Sequence, residues 1–144
     1  MGINFYHYRR TKEQNKILIE KYPWLCPYVE DFDYSCTLLD AMPDGWNYTF
    51  GEQMCEEILE ALKLDNIPVE QYKVLQVKEK YGSLRWYDNG GKHVDKVLRK
   101  YENISEQICC CCGKPATHYS TGWILYWCKD CIEGDYSDNY KPLK

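Results

Sequence analysis

Cysteine is the residue type in this chain whose spacing points most clearly to chemistry. Cys109 and Cys112 enclose two residues, Cys128 and Cys131 enclose two more, and residues 113–127 separate the two pairs. Two residues between thiolates let one tight turn aim both sulfurs at the same ion, and two such turns complete a tetrahedron. The spacing therefore predicts a structural Zn²⁺ site formed by these four cysteines.

Three neighbouring side chains are alternative ligands, namely Cys110, Cys111 and His118. The set with Cys109 and Cys112 is favoured because both cysteine pairs then have the same CxxC spacing. Gly113 also follows the first turn, where the backbone often needs glycine. Four thiolates would also close the coordination shell and leave no position for a catalytic water. A redox-active CxxC is the competing chemistry, but thioredoxin-like motifs occur once, at a strand-to-helix junction, and here the pair is doubled.

Recognisable catalytic motifs are missing from the sequence. The histidines are His7, His93 and His118, and none lies in an HExxH motif or in the HxE and PCxxC pattern of zinc deaminases. There is no P-loop, GxGxxG or GxSxG motif. Cys36 or Cys55 could pair with His93 as nucleophile and base, but buried cysteines and surface histidines are commoner. We therefore expect a protein that is not an enzyme.

Length and composition are typical of a single globular domain. The chain has 144 residues, of which 44% are hydrophobic and 28% charged. The N-terminus has no apolar stretch of the kind found in secretory signals or membrane spans. Nine cysteines in a reducing compartment favour metal ligands and buried thiols over disulfides. These features predict a cytoplasmic protein with no membrane partner.

The elements that must position the cysteines follow from apolar periodicity and turn residues. Thr11 and Gln14 form a capping-box pattern at the start of a helix that ends before Pro23, and Thr49 and Glu52 form another such pattern. The other predicted elements are a helix at 50–64, a helix at 92–108, a hairpin of 72–80 with 84–87, and one strand at 34–39.

Two hairpins are expected to supply the sheets. Alternation along the first places Leu75 and Val77 on the same face. The second lies between the cysteine pairs, where residues 117–120 can pair with residues 123–127 through a turn at Thr121 and Gly122. A metal ion bound by both pairs would clamp the two ends of this second hairpin.

These elements predict an α+β fold with helices packed on a small antiparallel sheet. Residues 1–108 would form the core, residues 109–134 a zinc-ribbon-like module packed on it, and residues 135–144 a C-terminal tail. Three aromatic residues of the module are expected to form its local core, and stacking on nucleic-acid bases is their alternative role. These residues are Trp123, Tyr126 and Trp127.

Charge is unevenly distributed along the chain. Residues 26–71 carry eleven acidic groups against one lysine, whereas residues 1–25 and 72–108 each carry a net charge of +3. The acidic segment either pairs with its flanks or forms a docking surface for a basic partner. Several cations of the second flank are predicted to contact nucleic acid or a partner. They are Lys78, Lys80, Arg85, Lys92, Lys96, Arg99 and Lys100.

Three pieces of the sequence resemble a family of small bacteriophage and prophage proteins. They are Asp44-Gly45-Trp46, the segment VKEKYGSLRWY at 77–87, and Cys109 to Gly113 followed by Trp123 and the closing CxxC. The family usually has a VKEKFGGLRFY-like segment, in which Ser83 and Trp86 of this chain are Gly and Phe. The resemblance spans residues 44–131 in pieces. It implies a phage origin and a zinc module, and no catalytic residue.

Three functions are compatible with these features. The first is a non-enzymatic phage accessory protein that binds a host protein and inhibits a host defence system, because the metal site is closed and aromatic anchors are abundant. The second is a nucleic-acid-binding zinc ribbon that uses the basic residues of 78–100. The third is a sponge for a nucleotide signal, with aromatic rings stacking on the base.

Overall fold

Helices and two small antiparallel sheets make up the fold in the computed structural model, which describes residues 5–132 and 139–143. In chain order the elements are α1 (Lys12–Lys21), α2 (Asp44–Trp46), α3 (Glu52–Leu64), β1 (Val74–Lys80), β2 (Ser83–Asp88), α4 (Lys92–Ser105), β3 (His118–Ser120), β4 (Tyr126–Trp127) and β5 (Tyr140–Pro142). The predicted α+β class with a C-terminal four-cysteine hairpin is confirmed.

The capping box predicted for α1 is present. The Thr11 side chain accepts a hydrogen bond from the Gln14 backbone N–H, and the Gln14 side chain accepts one from the Thr11 N–H. These bonds satisfy two donors that the first turn of a helix leaves without a partner. Leu18 is buried on the inner face of α1 and belongs to the main core.

The helix predicted at 50–64 begins six residues earlier, so its predicted start is wrong. It opens as α2 at Asp44 and continues through a π-helical turn at Asn47–Gly51 into α3. Thr49 lies inside this turn and does not cap a helix. The buried guanidinium of Arg10 donates hydrogen bonds to the side chain and the backbone carbonyl of Asn47. Arg10 thus supplies a donor to a carbonyl in the irregular turn.

The strand predicted at 34–39 is also wrong. Tyr34 has a φ of 63°, which is incompatible with an extended strand. The Thr37 hydroxyl then accepts a hydrogen bond from the Leu39 N–H at 3.1 Å and caps a 3-10 helix at Leu38–Ala41. The alternating pattern of 34–39 therefore reflects a turn whose apolar residue Leu39 is buried.

The first hairpin is confirmed, with β1 and β2 antiparallel and Val77 opposite Trp86. Tyr81 and Gly82 connect the strands with φ values of 52° and 80°, the left-handed pair expected of a two-residue hairpin turn. A register shift between Val74 and Gln76 turns Leu75 outward, where 72% of it is exposed. The prediction that Leu75 and Val77 lie on the same face is therefore wrong, because alternation does not continue through a bulge.

The second hairpin is confirmed, and it gains a third strand. His118 pairs with Trp127 and Tyr119 with Tyr126, so the predicted strand at 123–127 is shortened to Tyr126–Trp127 and the connecting loop is longer than the predicted turn at Thr121 and Gly122. On its other side β3 pairs with β5, so that Ser120 lies opposite Tyr140. The predicted tail at 135–144 is corrected accordingly, since residues 140–142 complete the sheet, while residues 133–138 and 144 lie outside the described residues.

Much of the acidic segment is paired with its flanks. Three carboxylates of α3 form ion pairs with cations of the flanks. The pairs are Glu52 with Arg10 at 2.9 Å, Glu56 with Lys21 at 4.0 Å, and Glu57 with Lys100 at 2.8 Å. Pairing with the flanks, the first of the two alternatives for this segment, therefore accounts for three of the four carboxylates of α3, and the fourth, Glu60, pairs with Lys63 of the same segment. In the described part of the chain, no helix is long and apolar enough to cross a membrane.

Helix α4 begins without a side-chain cap of its own, because its N-cap residue is Gly91. The carboxylate of Asp65 fills this role from the end of α3, accepting from the backbone N–H groups of His93 at 3.0 Å and Val94 at 3.1 Å. Burial raises the pKa of Asp65, but these hydrogen bonds outweigh it and lower the pKa overall. The helix ends at Ser105, three residues before its predicted end.

We expect Asp65→Ala to fray the first turn of α4. The amide protons of His93 and Val94 should exchange with solvent at least about tenfold faster than in the wild type, because they lose their acceptor. Hydrogen exchange followed by NMR measures this effect. Glu70→Ala removes the same charge from an exposed position and should leave both rates unchanged. Equal rates in the wild type and Asp65→Ala would show that the carboxylate does not cap the helix.

Candidate metal centre

Two short turns bring the four predicted cysteines together. The first turn follows Ile108, which forms an isolated bridge with Pro115, and the Gly113 N–H closes it by donating to the Cys109 carbonyl at 2.9 Å. Gly113 has a φ of 80°, which glycine adopts without strain. The second turn is the 3-10 helix Lys129–Cys131, which β4 delivers directly.

The four sulfur atoms are close enough to share one ion. The Sγ atoms of Cys109, Cys112, Cys128 and Cys131 all lie within 4.8 Å of one another, and those of Cys112 and Cys128 are 3.4 Å apart. A tetrahedral zinc site with Zn–S bonds of 2.3 Å requires sulfur separations of about 3.8 Å. The arrangement can therefore hold a metal ion, and these four thiolates would fill a tetrahedral shell.

Burial makes the cluster unfavourable for thiolates that lack a counter-charge. It raises the pKa of Cys112 to about 11, and it also raises the pKa of Cys131. Cys128 differs, because hydrogen bonds from Cys112 and Cys131 outweigh the effect of burial and lower its pKa. A bound cation would supply the missing counter-charge to all four sulfurs.

The three alternative ligands do not join this group of sulfurs. Cys110 is buried among the apolar residues of the module, where burial raises the pKa of its thiol. The Cys111 thiol lies beside the cluster, hydrogen-bonded to Cys131, and the Cys111 carbonyl accepts from the Tyr48 hydroxyl at 2.9 Å. His118 lies on β3, and its Nδ1 contacts the Thr117 hydroxyl at 2.8 Å.

The first cysteine turn packs directly on the start of helix α2. The Gly45 N–H donates to the Cys110 carbonyl at 2.7 Å, and a Cβ at position 45 would overlap the Cys109 carbonyl oxygen and lie 2.8 Å from the carbonyl carbon of Cys110. A Cβ on Gly113 would overlap the hydroxyl of Thr49, which lies in the π-helical turn. The backbone of the first cysteine turn therefore packs directly against the backbone of the helix, and any side chain larger than that of glycine would prevent this contact.

The first hairpin makes the second junction with the module. A Cβ on Gly82 would lie 2.8 Å from the Tyr126 ring. Glu79 accepts from the Trp123 indole N–H at 2.9 Å through one oxygen and from the Gly82 N–H at 2.9 Å through the other. The segments 44–46, 77–87 and 109–131 thus meet at adjoining junctions. Their separation along the chain hides this relation from a reading of the sequence.

Trp123 forms the exposed part of an aromatic surface. The side chain is 72% exposed, so its predicted place in the local core is wrong, whereas Trp127 is buried as predicted. Two clefts of about 470 and 380 Å³ adjoin Trp123. The larger includes Phe5 and Tyr6, which the sequence did not indicate, and the smaller includes Tyr81. We call Tyr6, Tyr81 and Trp123 with these clefts the aromatic surface.

The predicted basic contacts on the hairpin lie near aromatic rings or a carboxylate. The ammonium of Lys78 lies 5.7 Å from the centre of the Tyr87 ring, and that of Lys80 lies 6.0 Å from the centre of the Tyr81 ring. Arg85, opposite Lys78 in the register, forms a 3.1 Å ion pair with a carboxylate of α4. Of these three cations, only Arg85 has a carboxylate partner among the described residues.

The predicted contacts on α4 divide between two faces of the helix. Lys92, Lys96 and Arg99 are exposed and recur at helical spacing, and no carboxylate of the described residues lies within salt-bridge distance of them. Lys100 pairs instead with Glu57 at 2.8 Å. Three exposed cations of α4, Lys92, Lys96 and Arg99, thus form a stripe along the helix.

The disfavoured alternative of a cysteine nucleophile with His93 as its base gains no support from the structure. The Nδ1 atom of His93 lies 2.6 Å from Asp65. Cys55 is fully buried, and burial raises the pKa of its thiol to about 12. A buried neutral thiol is a poor nucleophile.

No family model, curated protein or solved structure matches the chain.

We expect Gly45→Ala to disrupt the docking of the first cysteine turn. The added methyl group meets backbone atoms that cannot rotate away, so the free energy of unfolding should fall by about 3 kcal/mol. Urea denaturation measures the change. Gly122→Ala is the matched control, because no atom lies within 4 Å of its added Cβ and its stability should stay within about 0.5 kcal/mol of the wild type. Equal stability of the two variants would contradict the close approach.

Proposed function

We propose that this chain is a non-enzymatic phage accessory protein that binds a host protein in the host cytoplasm, with Zn²⁺ as a structural ion. The aromatic surface carries the proposal, because Trp123 and Tyr81 are large rings held exposed on a stabilised support. Tryptophan and tyrosine are the residue types that most often dominate the binding energy of protein interfaces. Inhibition of a host defence system is the role that we propose for this binding.

Zinc is the metal that best suits the cluster. Four cysteine thiolates in a tetrahedral arrangement, supplied by two CxxC turns, are typical of structural zinc and less suited to hard cations, which prefer oxygen ligands. The complete shell leaves no position for substrate or water, which supports a stabilising role for the ion. Without the ion the module has a small apolar core, made mainly of Cys110, Leu125, Trp127 and Ile132.

The phage origin rests on the resemblance alone. The pieces that carry it meet where the module packs on the core, so they describe a shared scaffold rather than a shared active site. A scaffold of this kind can hold an exposed binding surface without any catalytic group. Genes for counter-defence proteins beside this one would support the proposed role.

Nucleic-acid binding is the second candidate function. The stripe of Lys92, Lys96 and Arg99 favours it, because these exposed cations have no carboxylate partner among the described residues. The chain as a whole carries a net charge of −4, which opposes binding to a polyanion. The stripe therefore ranks below the aromatic surface.

We expect purified, reduced protein to contain one Zn²⁺ per chain. Cys112→Ala and Cys128→Ala should lose the metal and unfold the module, because metal binding and folding are coupled in such sites. Elemental analysis and the dispersion of NMR signals measure the two effects. Cys111→Ala is the matched control and should keep its zinc. Retention of the metal by Cys112→Ala or Cys128→Ala would show that the ligand assignment is wrong.

We expect Trp123→Ala to abolish capture of the host protein. The tagged wild-type chain should recover one partner from nuclease-treated bacterial lysate, and the purified partner should bind Trp123→Ala at least about thirtyfold more weakly. Isothermal titration calorimetry measures the affinities. Tyr28→Ala is the control, because Tyr28 is 70% exposed and does not line either cleft of the aromatic surface.

Two outcomes would count against binding through the aromatic surface. If Trp123→Ala and Tyr28→Ala bind the partner equally well, the surface is not the interface. If the wild type captures nothing from nuclease-treated lysate but shifts nucleic acid in gels, with a strong dependence on salt, the second candidate function replaces the first.

A further inference from the structure

The smaller cleft of the aromatic surface combines aromatic faces with a carboxylate. Tyr81, from the turn of the first hairpin, is 70% exposed, and Trp123, from the loop of the second, is 72% exposed. Glu79 and Lys80 also line the cleft. Its volume of about 380 Å³ lies within the range of small-ligand pockets, roughly 300–1,000 Å³. The site is therefore large enough for one long side chain of a partner.

The position of Glu79 is set by two hydrogen bonds. Its oxygens accept from the Trp123 indole N–H and from the Gly82 backbone N–H, both at 2.9 Å. A carboxylate has about four acceptor sites, so a further donor can still bind. Glu79 also adds to the effect of burial in raising the pKa of Tyr6 to about 12, which places its negative charge near the aromatic surface. The carboxylate is thus held at the edge of an exposed indole.

Lys80 places one positive charge near an aromatic ring of the cleft. Its ammonium lies 6.0 Å from the centre of the Tyr81 ring, which is within the range of cation–π contacts. The Tyr81 ring therefore already has a cation of this chain near it, whereas none of the cations in residues 5–132 and 139–143 lies over the Trp123 ring. The cleft is suited to a second cation, on the indole face beside Glu79.

We propose that this cleft binds an arginine side chain of the host protein, with its guanidinium stacked on Trp123 and paired with Glu79. The proposal rests on the proposed function and names the partner group that the aromatic surface recognises. Arginine fits better than lysine because its planar guanidinium can stack on an aromatic face while it donates to a carboxylate at the edge of the ring. Glu79 provides the charge complementarity that favours this cation.

A nucleotide is the main alternative ligand, because its planar base could stack on the same rings as the guanidinium of arginine. The two ligands differ in the sign of their charge. A phosphate would be attracted by Lys80 and repelled by Glu79, whereas a guanidinium would respond in the opposite way. Neutral variants of these two residues therefore distinguish the ligands.

We expect N-acetyl-arginine amide to shift the indole N–H signal of Trp123 in ¹H–¹⁵N NMR spectra of the zinc-bound protein, with Trp123→Phe used to assign the signal. The citrulline analogue, which has the same shape without the charge, should bind at least about fivefold more weakly. Glu79→Gln should weaken binding of the arginine probe by a similar factor, and Lys80→Gln should strengthen it.

Three results would overturn the proposal. They are equal shifts with arginine and citrulline, unchanged binding to Glu79→Gln, and tighter binding of a nucleoside monophosphate that Lys80→Gln weakens. Partner capture separates this proposal from the proposed function. If Trp123→Ala loses the host protein and Glu79→Gln keeps it at full affinity, the host-protein interface stands and arginine recognition fails. If the arginine probe binds as expected and no host protein is captured, the proposed function fails alone.

Discussion

The contact between helix α2 and the first cysteine turn allows no side chain between the two backbones. Gly45 donates to the Cys110 carbonyl across this contact, and Gly113 approaches the π-helical turn from the other side. Because backbone atoms cannot change rotamer, the contact fixes the position of the first pair of sulfurs relative to the core. The direction of the second hairpin and the place of Trp123 follow from that position.

The sequence was most informative where one local pattern determined one local structure. Spacing indicated the two cysteine turns, and apolar periodicity indicated α1 and α4. Prediction from the sequence failed where a helix end or turn is stabilised by a residue distant in the chain. Arg10 supports the π-helical turn from outside the helix, and Asp65 caps α4 from another element. Cysteine spacing and apolar periodicity contain no information about these distant partners. The ends of helices were therefore predicted less well than their interiors.

The aromatic residues show the same limit at the candidate site. Trp123 and Trp127 belong to the same short hairpin, yet one is exposed and the other buried. The difference arises because Trp127 is in β4 and packs against Phe5, while Trp123 lies in the loop and bonds to Glu79 of the first hairpin. Exposure of Trp123 thus depends on how the module sits on the core. Disruption of the four-cysteine cluster would therefore disturb the aromatic surface as well as the module.

Strand β5 affects whether this chain can pair with other chains through the edge of its second sheet. It covers the side of β3 that does not face β4, and an uncovered strand edge presents free N–H and C=O groups to other chains. A chain cut after the second cysteine pair would keep every sulfur and still expose this edge. Such a truncated protein would be prone to add strands from its neighbours and aggregate, so residues 140–142 protect the solubility of the module.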